Sequence, residues 1–96
     1  MAGFNAEVKR LAVVFHVQTQ DVGPGARYVE SLIYKSGKLL SSRKTDYTSS
    51  LASPQLQVRV QQIMEEQHNA ILREIADGRF DHYLTPEERH PIPDKG

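Results

Sequence analysis

Residues 11–20, LAVVFHVQTQ, alternate with a period of two, the spacing of a strand with one face on a core. Leu11, Val13, Phe15, Val17 and Thr19 make the core face. Ala12, Val14, His16, Gln18 and Gln20 point the other way. The preceding FNAEVK suggests a short strand turning at Lys9–Arg10. After the strand, DVGPGA (21–26) is a loop: Gly23 and Gly25 permit positive φ, and Pro24 fixes φ and lacks an amide donor. Two further strand-like runs, RYVESLIYK (27–35) and KLLSSRKTDY (38–47), flank Ser36–Gly37 and predict a tight hairpin. A two-residue loop sets Lys35 against Lys38, Tyr34 against Leu39, Ile33 against Leu40 and Glu30 against Arg43. That register brings an apolar pair and an opposite-charge pair together.

The period then changes. Leu56, Val60, Ile63, Met64, Ile71 and Ile75 fall on one side of a helical wheel. Ser53–Pro54 supplies an N-cap and a first-turn proline, and Gly78 a left-handed C-terminal cap, so the spacing predicts a helix over 54–77. Beyond it, RFDHYL is expected to fold back through Phe80, Tyr83 and Leu84, and Thr85–Pro86–Glu87–Glu88 has the capping-box pattern. The expected fold is α+β: an antiparallel three- or four-stranded β-meander with one long C-terminal α-helix packed on one face. Residues 1–84 form the single domain, and 85–96 are expected as a flexible C-terminal tail.

Composition narrows the classes. Twelve basic and twelve acidic residues cancel, so the chain lacks the overall basic excess that drives phosphate binding. In the hairpin register above, Lys35, Lys38 and Lys44 share one face while Tyr28 and Tyr34 share the other, which separates charge from stacking surface; no nucleic-acid partner is expected. With no cysteine, disulfides and thiol chemistry are excluded. The apolar run Leu11–Phe15 is shorter than a signal-peptide core, and no segment approaches the roughly 20 apolar residues of a membrane span. The expectation is a cytoplasmic protein with no membrane association.

Candidate chemistry is sparse. The four histidines, at 16, 68, 82 and 90, show no metal-ligand spacing. No serine lies in a nucleophile motif, and Glu65–Glu66 and Glu87–Glu88 diverge by about 100° on a helix. No catalytic residue, metal or cofactor is assigned. Two polar residues stand out within the helical stripe. Gln67 lies between Val60 and Ile71, where its amide must either bond strand backbone or orient a ligand. His68 lies beside it, as a packing residue or a ligand contact. His16 and Gln18 share the strand face opposite Phe15, so they are not expected to join Gln67 unless a second subunit intervenes. Asp21 is expected to cap the glycine loop through an Asx-type bond.

The stretches HVQTQD (16–21), KTDY (44–47), EQH (66–68) and GRFD (78–81) together resemble small bacterial proteins and domains of unassigned function, with an HVQT-E-D strand and a QH pair late in a helix. Gln20 stands where that motif has Glu. The resemblance implies no activity, only that His16, Gln18, Thr19, Asp21, Gln67 and His68 are the polar positions to test. A single helix covers one sheet face, and the other is expected to expose Val14, Val29, Ile33 and Leu40. Such a surface suits association. The expected function is a small interaction module that forms a homo-oligomer, or binds another protein, through this face or an edge strand. The alternative is a ligand-binding or regulatory domain at the helix–sheet seam.

Overall fold

A computed structural model describes residues 3–23 and 25–89. Pro24, expected to stiffen the glycine loop, lies outside the described residues, as do His90 and the rest of 90–96. Four antiparallel strands, β1 (Gly3–Arg10), β2 (Val13–Asp21), β3 (Tyr28–Lys35) and β4 (Lys38–Asp46), pair in sequence order. One long helix, α1 (Leu56–Ala76), lies across β2 and β1 and reaches β3. The expected α+β meander is the fold. No helix among the described residues is long and apolar enough to cross a membrane.

The alternation of β2 holds from Val13 onward: Val13, Phe15, Val17 and Thr19 are buried under α1. Leu11 is not on the core face. β1 runs past the expected turn at Lys9–Arg10, and Leu11–Ala12 make the turn instead, with Arg10 opposite Val13. Leu11 takes φ 56°, a left-handed conformation that opposes its Cβ.

Ser36–Gly37 is the two-residue turn, with φ of 51° and 83°, the pattern of a type I′ hairpin. Lys35 faces Lys38 and Tyr34 faces Leu39 as expected. The register then slips by one at a β-bulge, so that Ile33 faces Ser41 and Glu30 faces Lys44. The extra residue is Leu40, which turns into partial contact with the core. The slip reverses the facing of the rest of β4. Lys44 therefore shares a face with Tyr28 and sits 4.9 Å over its ring, against the expected separation of lysines from tyrosines.

The same parity overturns part of the expected open face. Val29 and Ile33 are fully buried beneath α1, because β3 turns Val29, Ser31 and Ile33 inward and Tyr28, Glu30, Leu32 and Tyr34 outward. Of the four expected residues only Val14 stands on the far face.

α1 begins two residues later than expected. Ser53 still serves its entry: its Oγ accepts from the Gln55 amide at 3.1 Å, and its carbonyl accepts from Leu56 N–H. The other end is as expected. Gly78 has φ 88°, with Gly78 N–H donating to Ile75 O and Arg79 N–H to Glu74 O, a Schellman cap. The chain then returns Phe80 and Leu84 to the core, where Phe80 meets Phe15 edge-on at 6.4 Å. Thr85 and Glu88 exchange bonds of 2.8 and 3.2 Å in a capping box, opening the short α2 (Pro86–Arg89). In the segment expected as tail, this turn is fastened to the sheet by Lys35 Nζ on Glu88 at 2.9 Å.

Backbone conformation gives two variants of opposite sign. Gly78→Ala adds a Cβ in a left-handed conformation, 2.7 Å from the Arg10 guanidinium, and should destabilise by more than about 1 kcal/mol. Leu11→Gly relieves such a conformation at an exposed turn and should stabilise by about 1 kcal/mol. Urea unfolding of the two variants measures both shifts.

Candidate functional site

The seam between α1 and the sheet is polar at its centre. β2 and β3 turn Thr19 and Ser31 inward as directly opposed partners, and the bulge in β4 turns Thr45 inward. About two and a half turns before its C-cap, α1 presents Gln67 and His68 to these three hydroxyls, and all but Thr45 are buried. Gln67 Nε2 donates to Ser31 Oγ at 2.8 Å and to the Arg43 carbonyl at 3.1 Å, while its Oε1 accepts from the Thr45 hydroxyl. A carbonyl can only accept, so Arg43 O fixes which way the amide points. Gln67 is thus the buried amide bonded to strand backbone, one of the two readings of its position.

Proton accounting orders the rest of the chain. Ser31 Oγ lies 2.6 Å from Thr19 Oγ1, which lies 2.8 Å from His68 Nδ1. Ser31 already accepts from Gln67, so its own hydrogen goes to Thr19, and the Thr19 hydrogen goes to His68 Nδ1. The reverse direction would leave the Ser31 hydroxyl hydrogen without an acceptor among the described residues. His68 is therefore neutral at Nδ1 and carries its proton on Nε2. Burial pushes the His68 imidazole below its ordinary value, in agreement with an accepting Nδ1.

No buried side-chain nitrogen or oxygen lacks a partner among the described residues. His68 Nε2 has no partner among the described residues, so this nitrogen reaches solvent although the residue as a whole is only 6% exposed. It opens on a cleft of about 450 Å³ lined by Gly3, Phe4, Asn5, Glu65, His68 and Asn69. The Phe4 ring packs against the imidazole at 5.4 Å between centroids.

The other candidates lie elsewhere. His16 and Gln18 occupy the far sheet face, as their strand parity requires, with His16 Nε2 3.3 Å from Asn5 Oδ1 and its ring edge-on to Tyr34 at 6.2 Å. With Val14 and Tyr34 they line a shallow hollow of about 470 Å³. Asp21 is a third place. Its Oδ1 accepts from Gly23 N–H at 2.9 Å, the expected Asx bond, and from the Tyr47 hydroxyl at 2.5 Å. Burial and that carboxylate push the Tyr47 phenol up to about 12. The candidate residues thus divide among the seam, the open face and a loop cap.

Sequence reading missed Ser31, Thr45 and the cleft wall formed by Phe4, Glu65 and Asn69. Ser31 had a signal, since it sits midway between Val29 and Ile33 on one face. Thr45 had none, because the bulge that turns it inward is silent in the sequence. No three His, Asp or Glu among the described residues converge as a metal cage. Comparison with protein-family models, with curated proteins and with solved structures finds no match for the chain.

Two measurements test the network. Thr19→Val keeps shape but leaves His68 Nδ1 without a donor and the Ser31 hydroxyl hydrogen without an acceptor, and should cost about 1–3 kcal/mol in urea unfolding. A histidine whose folded value is lowered binds its proton less readily when folded than when unfolded. The His68 contribution is therefore complete above the unfolded value of about 6.5 and is lost as pH falls through the lowered folded value. The stability of wild type relative to His68→Gln should be flat above that pH and decline below it.

Proposed function

We propose that the chain is a small non-catalytic interaction module that pairs with a second copy of itself through the open face of its sheet. The observation that carries this reading is the apolar surface there: Val14 and Leu39 are 44% and 52% exposed, Tyr34 lies directly beside Leu39, and Leu32 follows Tyr34 on the same face of β3. No described element covers that side. Such a patch on a one-layer sheet suits association more than solvation.

A second copy fits better than an unlike partner because the polar surround carries both signs. Glu7 and Lys9 stand on the same side of β1, and Glu30 faces Lys44. A two-fold axis through Leu32 and Tyr34 can set such charges against their opposites. The face is also favoured over the β4 edge, which carries the Leu40 bulge and Lys38, features that blunt edge pairing. A non-catalytic role is supported by His68, whose inner nitrogen is committed to Thr19 with no nucleophile on the cleft side. The ligand reading of the seam narrows to the outer nitrogen, because the Gln67 amide is spent on Ser31, Arg43 and Thr45.

Light scattering after size exclusion tests this reading. Wild type should have the mass of a dimer, and Val14→Lys with Leu39→Lys that of a monomer that still unfolds cooperatively, its melting temperature lowered only by the lost association. A wild type that stays monomeric at high concentration rejects it.

A further inference from the structure

The cleft beside His68 runs between an edge strand and a helix. β1 ends the sheet order, so its outer main chain has no strand partner among the described residues. The two-residue turn makes Arg10 and Val13 the first hydrogen-bonded pair. Counting back by twos, Phe4, Ala6 and Val8 bond β2, while Gly3, Asn5, Glu7 and Lys9 aim their N–H and C=O groups outward. Asn5 lines the cleft, yet its side chain is held on the far sheet face by His16. What Asn5 offers the cleft is therefore its main chain. The same holds of Gly3, where a Cβ would come within 2.9 Å of Thr19 O.

The opposite wall is α1. It presents the Glu65 carboxylate, the Asn69 amide and the Nε2–H of His68, a donor on a nearly buried ring that Thr19 holds from behind. Phe4 closes the floor between the walls. An unpaired strand edge along one wall, with side chains able to read an occupant along the other, is the arrangement for adding a strand.

We propose that the groove between β1 and α1 binds an extended peptide segment of a partner protein, paired to the outer edge of β1, with a Ser or Thr hydroxyl at His68 Nε2–H and a Lys or Arg near Glu65. A hydroxyl fits where a carboxylate does not. It accepts from the imidazole and donates to the Asn69 or Glu65 oxygen, whereas a carboxylate would face the Glu65 charge. The site lies across the sheet from the proposed self-association face and does not depend on it.

The test is an amide and imidazole chemical-shift titration of the wild-type chain with the capped peptide Lys-Val-Thr-Val-Lys. Saturable shifts are expected at Gly3, Asn5, Glu65 and the His68 imidazole. Valine in place of the probe threonine should weaken binding about fivefold, the loss of one hydrogen bond. Asn5→Pro, which removes an outward N–H, and Glu65→Lys, at an exposed helix position, should each weaken it at least as much. Glu65→Lys keeps the test valid should Asn5→Pro unfold. No saturable shift at millimolar peptide overturns the proposal, as do shifts confined to the Val14–Leu39 face. Wild type whose mass Glu65→Lys halves without peptide also overturns it, because a second copy then occupies the groove; Glu65 lies on the helix, away from the open sheet face.

Discussion

The fold depends on the hydrogen-bonded chain that runs from Thr45 through Gln67, Ser31 and Thr19 to His68. An apolar stripe laid on an apolar sheet tolerates small rotations and slides, because dispersion and burial have little direction. Hydrogen bonds do have direction, and a buried donor left unpaired costs about 1–3 kcal/mol. Rotating α1 by one residue, about 100°, would carry Gln67 away from the Arg43 carbonyl and His68 away from Thr19 together. The chain thus selects one rotation and one height for the helix. It also divides the core: Val60, Met64, Val29 and Tyr47 gather on one side, and Ile71, Ile75, Phe15, Val17 and Ile33 on the other.

Charged contacts fasten the margins of this arrangement. Arg43, turned inward by the bulge, holds Glu74 through two bonds of 2.7 and 3.0 Å, and its guanidinium lowers the Glu74 carboxyl below the usual range. Arg10 does the same to Asp81 at the end of β1, through bonds of 2.8 and 3.1 Å. The second contact explains Gly78 twice over. The residue must adopt a left-handed φ to end the helix, and it must also lack a side chain to let the Arg10–Asp81 pair pass beside it. These pairs are about a third exposed, so they guide the returning chain more than they stabilise it.

Local chemistry was legible in the sequence and parity was not. Ser36–Gly37, Gly78, the Asp21 loop cap and the Thr85–Glu88 box each depend on a few adjacent residues and appear where the residue types require them. β2 was legible because its two faces differ strongly. β3 differs less: Val29 and Ile33 flank a serine on one face, and Tyr28, Leu32 and Tyr34 make the other face about as apolar. Nothing in the Gly23–Arg27 loop says how many residues it inserts before pairing begins. Hence Val29 and Ile33 could not be assigned to a face by pattern alone, and neither could residues beyond the unforeseen bulge at Leu40. Gln67 and His68 were identifiable by their misplaced polarity. Their partners were not, because two of the three hydroxyls lie on strands whose facing was undetermined.

The sheet keeps its two proposed surfaces apart, and this bears on what they could do together. Side chains at alternate positions of β1 serve different sides: Asn5 reaches His16 on the open face while Phe4 packs on His68 beneath the helix. A dimer formed through the open faces would place both helices outside and leave both β1–α1 grooves clear. Two identical grooves on one rigid body bind a bivalent partner more tightly than one groove does, by an amount set by the linker between its two segments. Shallow grooves that read one hydroxyl and a short run of main chain bind weakly singly. Pairing through the opposite face is the simplest way for so small a domain to make such weak grooves effective.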